Sequence, residues 1–292
     1  MKILIIGGSG FLGRNIVKNL IQKKHKVIVL DKVKSNFKNS NLIFIKGDIN
    51  NYGLLEKIIK NKVDVIYNFA AIADIDEAMR KPLQTIEVNI LGNIKVLELC
   101  KKYKTKRYIF ASTVYVHSSQ GGFYKVSKQS SELFIEEYFK RHKVNYTILR
   151  YGSVFGPGAS ENNGISKILY KALKYNKLEY SGTQKAVRKF IHVKDAAELS
   201  VSCLSSKFKN KNLLITGNKI YKIKYVLKLI SQKFKIKSKL IFKNKKNKGH
   251  YDYSPYSYKP KKDIIYSNKK NNILENSLDE IAREIKFRFK LK

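Results

Sequence analysis

Acidic residues are scarce in this 292-residue chain: 22 Asp and Glu stand against 60 Lys and Arg, for a formal net charge of +38. Tryptophan is absent, and there are only 4 prolines, 2 methionines and 2 cysteines. Each shortage excludes something. Cys100 and Cys203 cannot make a disulfide framework and lack metal-ligand spacing, so no metal is expected and a reducing compartment is. No apolar run reaches the ~18–20 residues that span a bilayer, so no membrane partner is expected. The opening apolar run, Ile3–Ile6, is shorter than the roughly 7–15 residues of a secretory h-region. It reads as a first strand that stops at glycine, and the cytoplasm is the expected location. Arginine is short as well: 8 of the basic residues are Arg and 52 are Lys. Phosphate and base recognition favours the guanidinium fork. A chain rich in Lys, Asn, Ile and Tyr is what an A/T-rich genome writes. The charge therefore does not argue for a nucleic-acid partner, although it would still attract an anionic small molecule.

Against those shortages, 43% of the residues are hydrophobic, enough for a real core. Ile3–Ile6, Val27–Leu30, Leu42–Ile45, Val63–Phe69, Arg107–Ala111 and Tyr146–Leu149 read as short buried strands. Amphipathic patterns lie between them, at about Phe11–Lys23, Thr85–Tyr103 and Tyr124–His142. Strands alternating with helices give βαβ units. The fold class expected is α/β: a Rossmann-type doubly wound parallel sheet with a smaller C-terminal substrate-binding region. Residues 1–150 form the dinucleotide domain. Residues 151–292 form mainly the substrate region, with some segments returning to the sheet. Beyond Arg150, helices are expected at about Ile165–Tyr175, Ala196–Ser205, Lys224–Phe234 and Leu278–Phe287. The stretch Lys243–Lys262 is basic and tyrosine-rich. There is no internal repeat and no clean linker.

The strongest local signal is Gly7-Gly8-Ser9-Gly10-Phe11-Leu12-Gly13, set between a strand and an amphipathic helix. A pyrophosphate needs close backbone approach and the free N–H groups of a helix N-terminus. Gly7, Gly10, Phe11, Leu12 and Gly13 are the expected contacts. Asp31 closes the second strand, where a carboxylate accepts from ribose hydroxyls and repels a 2′-phosphate. That favours NAD over NADP, with Lys32 next door as a slight counterweight. Asp48 and Ile49, after the third strand, are candidates for the adenine end.

Tyr124 and Lys128 form a Y-x-x-x-K pair, one face of a helix. A nearby ammonium is expected to lower the phenol's pKa toward neutrality, making Tyr124 a proton acceptor. The pattern alone carries little, since 19 Tyr and 52 Lys give three to four chance matches and four occur, at Tyr124, Tyr170, Tyr258 and Tyr266. Position singles out Tyr124, which opens a long helix after the strand Arg107–Ala111. Ser112 and Thr113 at that strand's end are the candidate catalytic hydroxyls.

Nine segments in order, GGSGFLG (Gly7–Gly13), VIVLD to Asp31, GDI, NFAA, EVN, ASTVY, YKVSK, RYGSVFGPG and RKFIHVKD, cover about two thirds of the chain. Together they resemble the extended short-chain dehydrogenases of the NAD-dependent epimerase/dehydratase type, similar to UDP-galactose 4-epimerases. The resemblance implies NAD as cofactor and a nucleotide-sugar substrate. It implies Tyr124 as base and acid, Lys128 on the nicotinamide ribose, and Thr113 in the place of the catalytic Ser/Thr with Ser112 as neighbour. It places Phe69, Ala70 and Ala71 along the cofactor, Asn89 in its pocket wall and Arg188 on the substrate diphosphate. It also implies a homodimer joined through the helices at Thr85–Tyr103 and Tyr124–His142. His192 reads as a packing or capping residue.

Three departures shape the expectation. Thr113 and Tyr124 are only 11 residues apart, which trims the loop over the sugar. Ser153 stands where the family has Asn, putting its sugar contact in question. No Asp-Glu pair follows Thr113, which disfavours dehydration. The reading is an epimerase of a nucleotide-activated sugar, at C4, through a keto-sugar. The alternatives are a nucleotide-sugar reductase or dehydrogenase, and a non-catalytic NAD- or nucleic-acid-binding protein.

Overall fold

The computed structural model describes residues 1–34, 38–243, 263–267 and 273–291. Strand and helix alternate up to Tyr151: β1 (Lys2–Ile6), α1 (Phe11–Gln22), β2 (Lys26–Asp31), β3 (Leu42–Lys46), α2 (Tyr52–Ile59), β4 (Val65–Asn68), α3 (Ile75–Arg80), α4 (Pro82–Thr85), α5 (Gly92–Lys102), β5 (Arg107–Thr113), α6 (Gly122–His142) and β6 (Tyr146–Tyr151). The second half gives β7 (Ser153–Phe155), α7 (Gly164–Tyr175), β8 (Leu178–Tyr180), β9 (Val187–His192), α8 (Val193–Ser202), β10 (Lys211–Ile215), β11 (Ile220–Lys222), α9 (Ile223–Lys233), β12 (Leu240–Phe242), β13 (Asp263–Tyr266) and α10 (Leu274–Phe289).

Eight of these strands form one sheet in the order β3-β2-β1-β4-β5-β6-β10-β13, every neighbour parallel. Buried on both faces, the inner strands read as continuous apolar runs instead of alternating ones. The side chains of Ile3, Ile5 and Tyr67 pack with those of α1 and α8 on one face. Leu4, Ile6 and Phe110 pack with α2, α5 and α6 on the other. This is the doubly wound Rossmann-type α/β fold. The order in which strands are added to the sheet reverses between β1 and β4, and the crevice at their C-terminal ends is where such folds bind dinucleotides. β10 and β13 join this sheet from the second half of the chain, which also builds a further hydrophobic cluster from α7, α9, α10 and β9.

Several boundaries differ from those expected. The predicted helix Thr85–Tyr103 is interrupted by a π-helical turn, Ile86–Leu91, between α4 and α5. Within that turn the Asn89 backbone carbonyl accepts from Ser131 Oγ and its Oδ1 accepts from Ile72 N, both at 2.8 Å. α2, α3 and β10 have no counterpart in the sequence reading; their apolar positions are too few to show a period. Residues 244–262 lie outside the described residues, and with them all but the first position of the basic tyrosine-rich stretch. Among the described residues no helix is long and apolar enough to cross a membrane.

Candidate active site

The turn after β1 is built for close approach. Gly7 has φ +80°, and a Cβ there would sit 2.7 Å from the Ala70 amide nitrogen. A Cβ on Gly13 would overlap the Gly7 carbonyl. Gly10 caps α1 without any side-chain cap, so the first-turn N–H groups of Phe11, Leu12 and Gly13 face the turn unsatisfied by a side chain. Ser9 Oγ is buried with no partner. An orphaned hydroxyl in a Cβ-free cradle at a helix N-terminus fits a pyrophosphate.

Asp31 is held in place from both sides. Its carboxylate accepts from Ser9 N at 2.9 Å and from Val33 N at 3.1 Å. Lys32, the slight counterweight in the sequence, is drawn away: its ammonium pairs with Asp48 at 2.7 Å. Burial opposes ionisation of Asp48, but Lys32 and the Asn50 amide outweigh it and hold its carboxyl below the usual range. Ile49 is buried beside it. Phe69, Ala70 and Ala71 are half-buried on the far wall, with Phe69 stacked on Tyr67 at 6.0 Å.

Asn89 lies deeper than a pocket wall. It is 2% exposed, its Oδ1 accepts from Ile72 N at 2.8 Å, and its Nδ2 donates to Ser127 Oγ at 2.9 Å. It ties the loop after β4 to α6 one turn from Tyr124.

The C-terminal end of β5 carries the chemistry. Tyr124, half-buried on the cleft wall, lies beside Thr113, near enough for that hydroxyl to favour the phenolate. Ser112 donates to the buried Glu132 carboxylate. Of the two candidate hydroxyls, Thr113 lines the cleft with the phenol, and Ser112 is taken up by Glu132. Lys128 is 2% exposed, donates to the Ala111 carbonyl at 2.8 Å and rests 4.6 Å over the Phe110 ring.

These surroundings overturn the expected direction of tuning. Burial pushes the Tyr124 phenol up to about 12, only partly offset by Thr113. Burial pulls Lys128 down to about 7, opposed by the charge of Glu132. The lysine does not lower the tyrosine here, because its ammonium is turned to a neutral carbonyl and to Phe110.

A cleft of about 610 Å³ opens beside Tyr124 and Thr113 and runs to Arg188. Arg188 donates to the Val187 carbonyl at 2.8 Å and to Tyr180 Oη at 3.0 Å, which fixes its guanidinium against the cleft wall. Ser153 lines the same cleft at the start of β7. His192 caps α8, accepting from Lys194 N at 3.3 Å, and it packs 5.3 Å from Phe155. Tyr115, Tyr180, Asp74 and, in the first turn of α3, Asp76 also line the cleft, and the sequence reading missed all four. Their signal was weak: nothing marks a lone Tyr or Asp before its position is known.

Glu132 and Arg150 were missed as well. Arg150 Nε lies 3.0 and 3.2 Å from the two Glu132 oxygens, with both side chains under a tenth exposed. A carboxylate four residues beyond Lys128 was the available clue.

Known proteins agree with this geometry. A 31%-identical relative over 230 residues is the dTDP-D-glucose 4,6-dehydratase of Dictyostelium discoideum; the match covers 66% of this chain but only 53% of that one. The putative UDP-glucose 4-epimerase of Methanocaldococcus jannaschii is 28% identical, with 82% and 85% covered. The UDP-glucose 4-epimerase of Thermotoga maritima superposes with a TM-score of 0.83 over the full length of both chains at 24% identity, a likeness of fold. Residues 3–216 match the NAD dependent epimerase/dehydratase family. A chain with that match over most of its length, a Cβ-free dinucleotide cradle and a Tyr124/Thr113/Lys128 cluster at the end of β5 belongs to this family, with NAD as its cofactor.

Proposed function

We propose that the protein is a cytoplasmic NAD-dependent epimerase of a nucleotide-activated sugar, acting at C4. The observation that carries the reading is the single cleft that Tyr124, Thr113 and Arg188 line together. Tyr124 takes the proton of the sugar hydroxyl as the carbinol carbon is oxidised, and returns it after the keto-sugar has turned over in the cleft. Thr113 holds the reacting oxygen on the phenol. Lys128 hydrogen-bonds the cofactor ribose, and Arg188 grips the substrate diphosphate with a guanidinium already oriented by Tyr180. NAD, held by the Gly7–Gly13 turn and Asp31, would supply the reversible hydride acceptor that this chemistry needs. The test is a screen of UDP-, GDP- and dTDP-sugars with the NAD-loaded protein, read by NMR. New anomeric signals of the C4 epimer without net NADH support the reading; stoichiometric NADH release makes it a dehydrogenase.

A second reading is dehydration, which the Dictyostelium relative's name raises. No carboxylate follows Thr113, but Asp76 lies on the cleft wall. A 6-deoxy methyl doublet in the same spectra would assign it.

We also propose a homodimer. Leu83, Ile86 and Leu91 near α4, with Phe123, Val126 and Leu133 on the neighbouring α6, are 45–76% exposed. Exposed apolar side chains gathered on two packed helices are the kind of surface a partner subunit covers. Leu97, Leu99 and Ile135 on the same two helical stretches are instead buried in the core.

A further inference from the structure

The loop between β7 and α7, residues 156–163, joins the cofactor side of the molecule to the cleft. At its far end Asn163 and the following Gly164 line the cleft. Near its start, the backbone of Gly158 is fastened to two helices by side chains of opposite charge. Its carbonyl accepts from Arg14 Nη2, on α1, at 2.5 Å, and its amide donates to the Glu284 carboxylate on α10. Arg288, paired with Glu284, donates to the Ala159 carbonyl at 3.0 Å. Gly158 has φ +81°, and a Cβ there would overlap the Arg14 guanidinium. The position therefore needs glycine twice over, once for its backbone and once to admit Arg14.

The two fasteners differ in what stands behind them. α10 is seated by Leu274, Leu278, Ile281 and Ile285 in the cluster it shares with α7 and α9, so Glu284 and Arg288 project from a fixed helix. Arg14 instead follows directly on Phe11, Leu12 and Gly13, whose N–H groups form the cofactor cradle, and its own amide bonds the Gly10 carbonyl at 3.0 Å. Its Cα–Cβ bond leans toward the helix N-terminus, and so toward that cradle. The loop has little apolar anchorage: between Phe155 and Ile165 only Ala159 is a buried hydrophobic side chain. A segment held by polar contacts belongs to the readily opened part of a fold, so those contacts decide its place. Asn163 closes the loop on itself, its amide bonding the Ser160 carbonyl at 3.0 Å and its Nδ2 the Val154 carbonyl at 2.8 Å.

We infer that Arg14 is a positioning residue that ties the cleft loop to the cofactor turn, so that NAD seated on α1 also steadies residues 158–163. A ligand that orders one end of such a tie lowers the entropy cost of ordering the other. By linkage, a molecule that settles in the cleft against this loop strengthens NAD binding by the same factor. The inference rests on the cofactor site and not on the sugar chemistry proposed above.

The experiment is hydrogen exchange read by mass spectrometry, with and without saturating NAD, on the parent, Arg14→Met and Glu284→Gln. In the parent, NAD should slow exchange in the turn Gly7–Gly13 and also in residues 158–163, there by about fivefold or more. In Arg14→Met the turn should keep its protection while the loop loses its response to NAD. Methionine is a good helix former, and Arg14→Gln takes its place if that variant does not fold. Glu284→Gln should speed loop exchange in both states yet keep the response to NAD, because the tie to α1 remains. A loop response that is absent in the parent, that survives without Arg14, or that is lost equally in Glu284→Gln overturns the inference. If the loop responds as expected but no nucleotide sugar is turned over, the proposed function fails and the inference stands; turnover without a loop response overturns the inference alone.

Discussion

Ser112 donates to the buried Glu132 carboxylate, while Thr113, the next residue on β5, lines the cleft beside Tyr124. Strand alternation makes this division unavoidable, since successive side chains point to opposite faces.

Tyr124→Phe should cost about 10²–10⁴-fold in turnover, the usual share of general acid–base catalysis. NAD affinity should change little, because the phenol is not among the groups of the cradle. Steady-state kinetics beside fluorescence titration with NADH would check both; activity within about tenfold of the parent moves proton transfer to another group.

Thr113→Val keeps the shape and removes the hydroxyl. A loss of roughly tenfold or more in kcat is expected, with Thr113→Ser restoring most of it. Equal rates for the Val and Ser variants would exclude the hydroxyl from the reaction.

Asp31→Ala should weaken NAD and narrow the preference over NADP. The variant loses an acceptor for the ribose hydroxyls and the repulsion of a 2′-phosphate. Paired dissociation constants for the two cofactors give the answer. A parent that already prefers NADP would make Lys32, despite its pairing with Asp48, the dominant group.

Lys128 costs the fold stability, and the sign follows from its pKa. The folded value is about 7 against 10.5 for the free side chain, so between those pH values the unfolded chain binds more protons. Stability of the cofactor-free protein should rise with pH through that window. Lys128→Met should melt roughly 5 °C higher than the parent at pH 7, and the gap should close toward pH 10. Calorimetry at pH 7 and 9.5 would show it; a constant gap would mean that Lys128 is not the titrating group.

Leu133→Glu should split the proposed dimer. Leu133 is 67% exposed on α6, so the change leaves the monomer's core untouched. Sedimentation should give a dimer of the 33.8 kDa chain for the parent and a monomer for the variant. A monomeric parent removes the interface.

Much of this was legible in the chain itself. β1, the glycine turn, α1 and Asp31 are local: each is a short run whose period and punctuation suffice. Tyr124 could be picked from four equivalent patterns because its strand came just before it. What stayed hidden depends on distant partners. Glu132 and Arg150 are 18 residues apart, and only the packing of α6 across β5 and β6 brings them together. The inverted pKa relation of Tyr124 and Lys128 was hidden for the same reason, because burial depends on the whole fold. The π-helical turn at Ile86–Leu91 keeps the same residues helical and leaves no mark in their periodicity.

The order of strands in the sheet also sets an order in time. β6 is complete at Tyr151, yet the strand that covers its free edge, β10, begins at Lys211, and the strand beside that one begins at Asp263. At roughly 5–20 residues per second of synthesis, the edge of β6 waits several seconds for its neighbour. During that interval an apolar, parallel-type edge is open to any other strand, which is the condition for pairing between nascent chains. A fragment ending near residue 150 would keep that edge open permanently, so the dinucleotide half should need the far half of the gene to remain soluble.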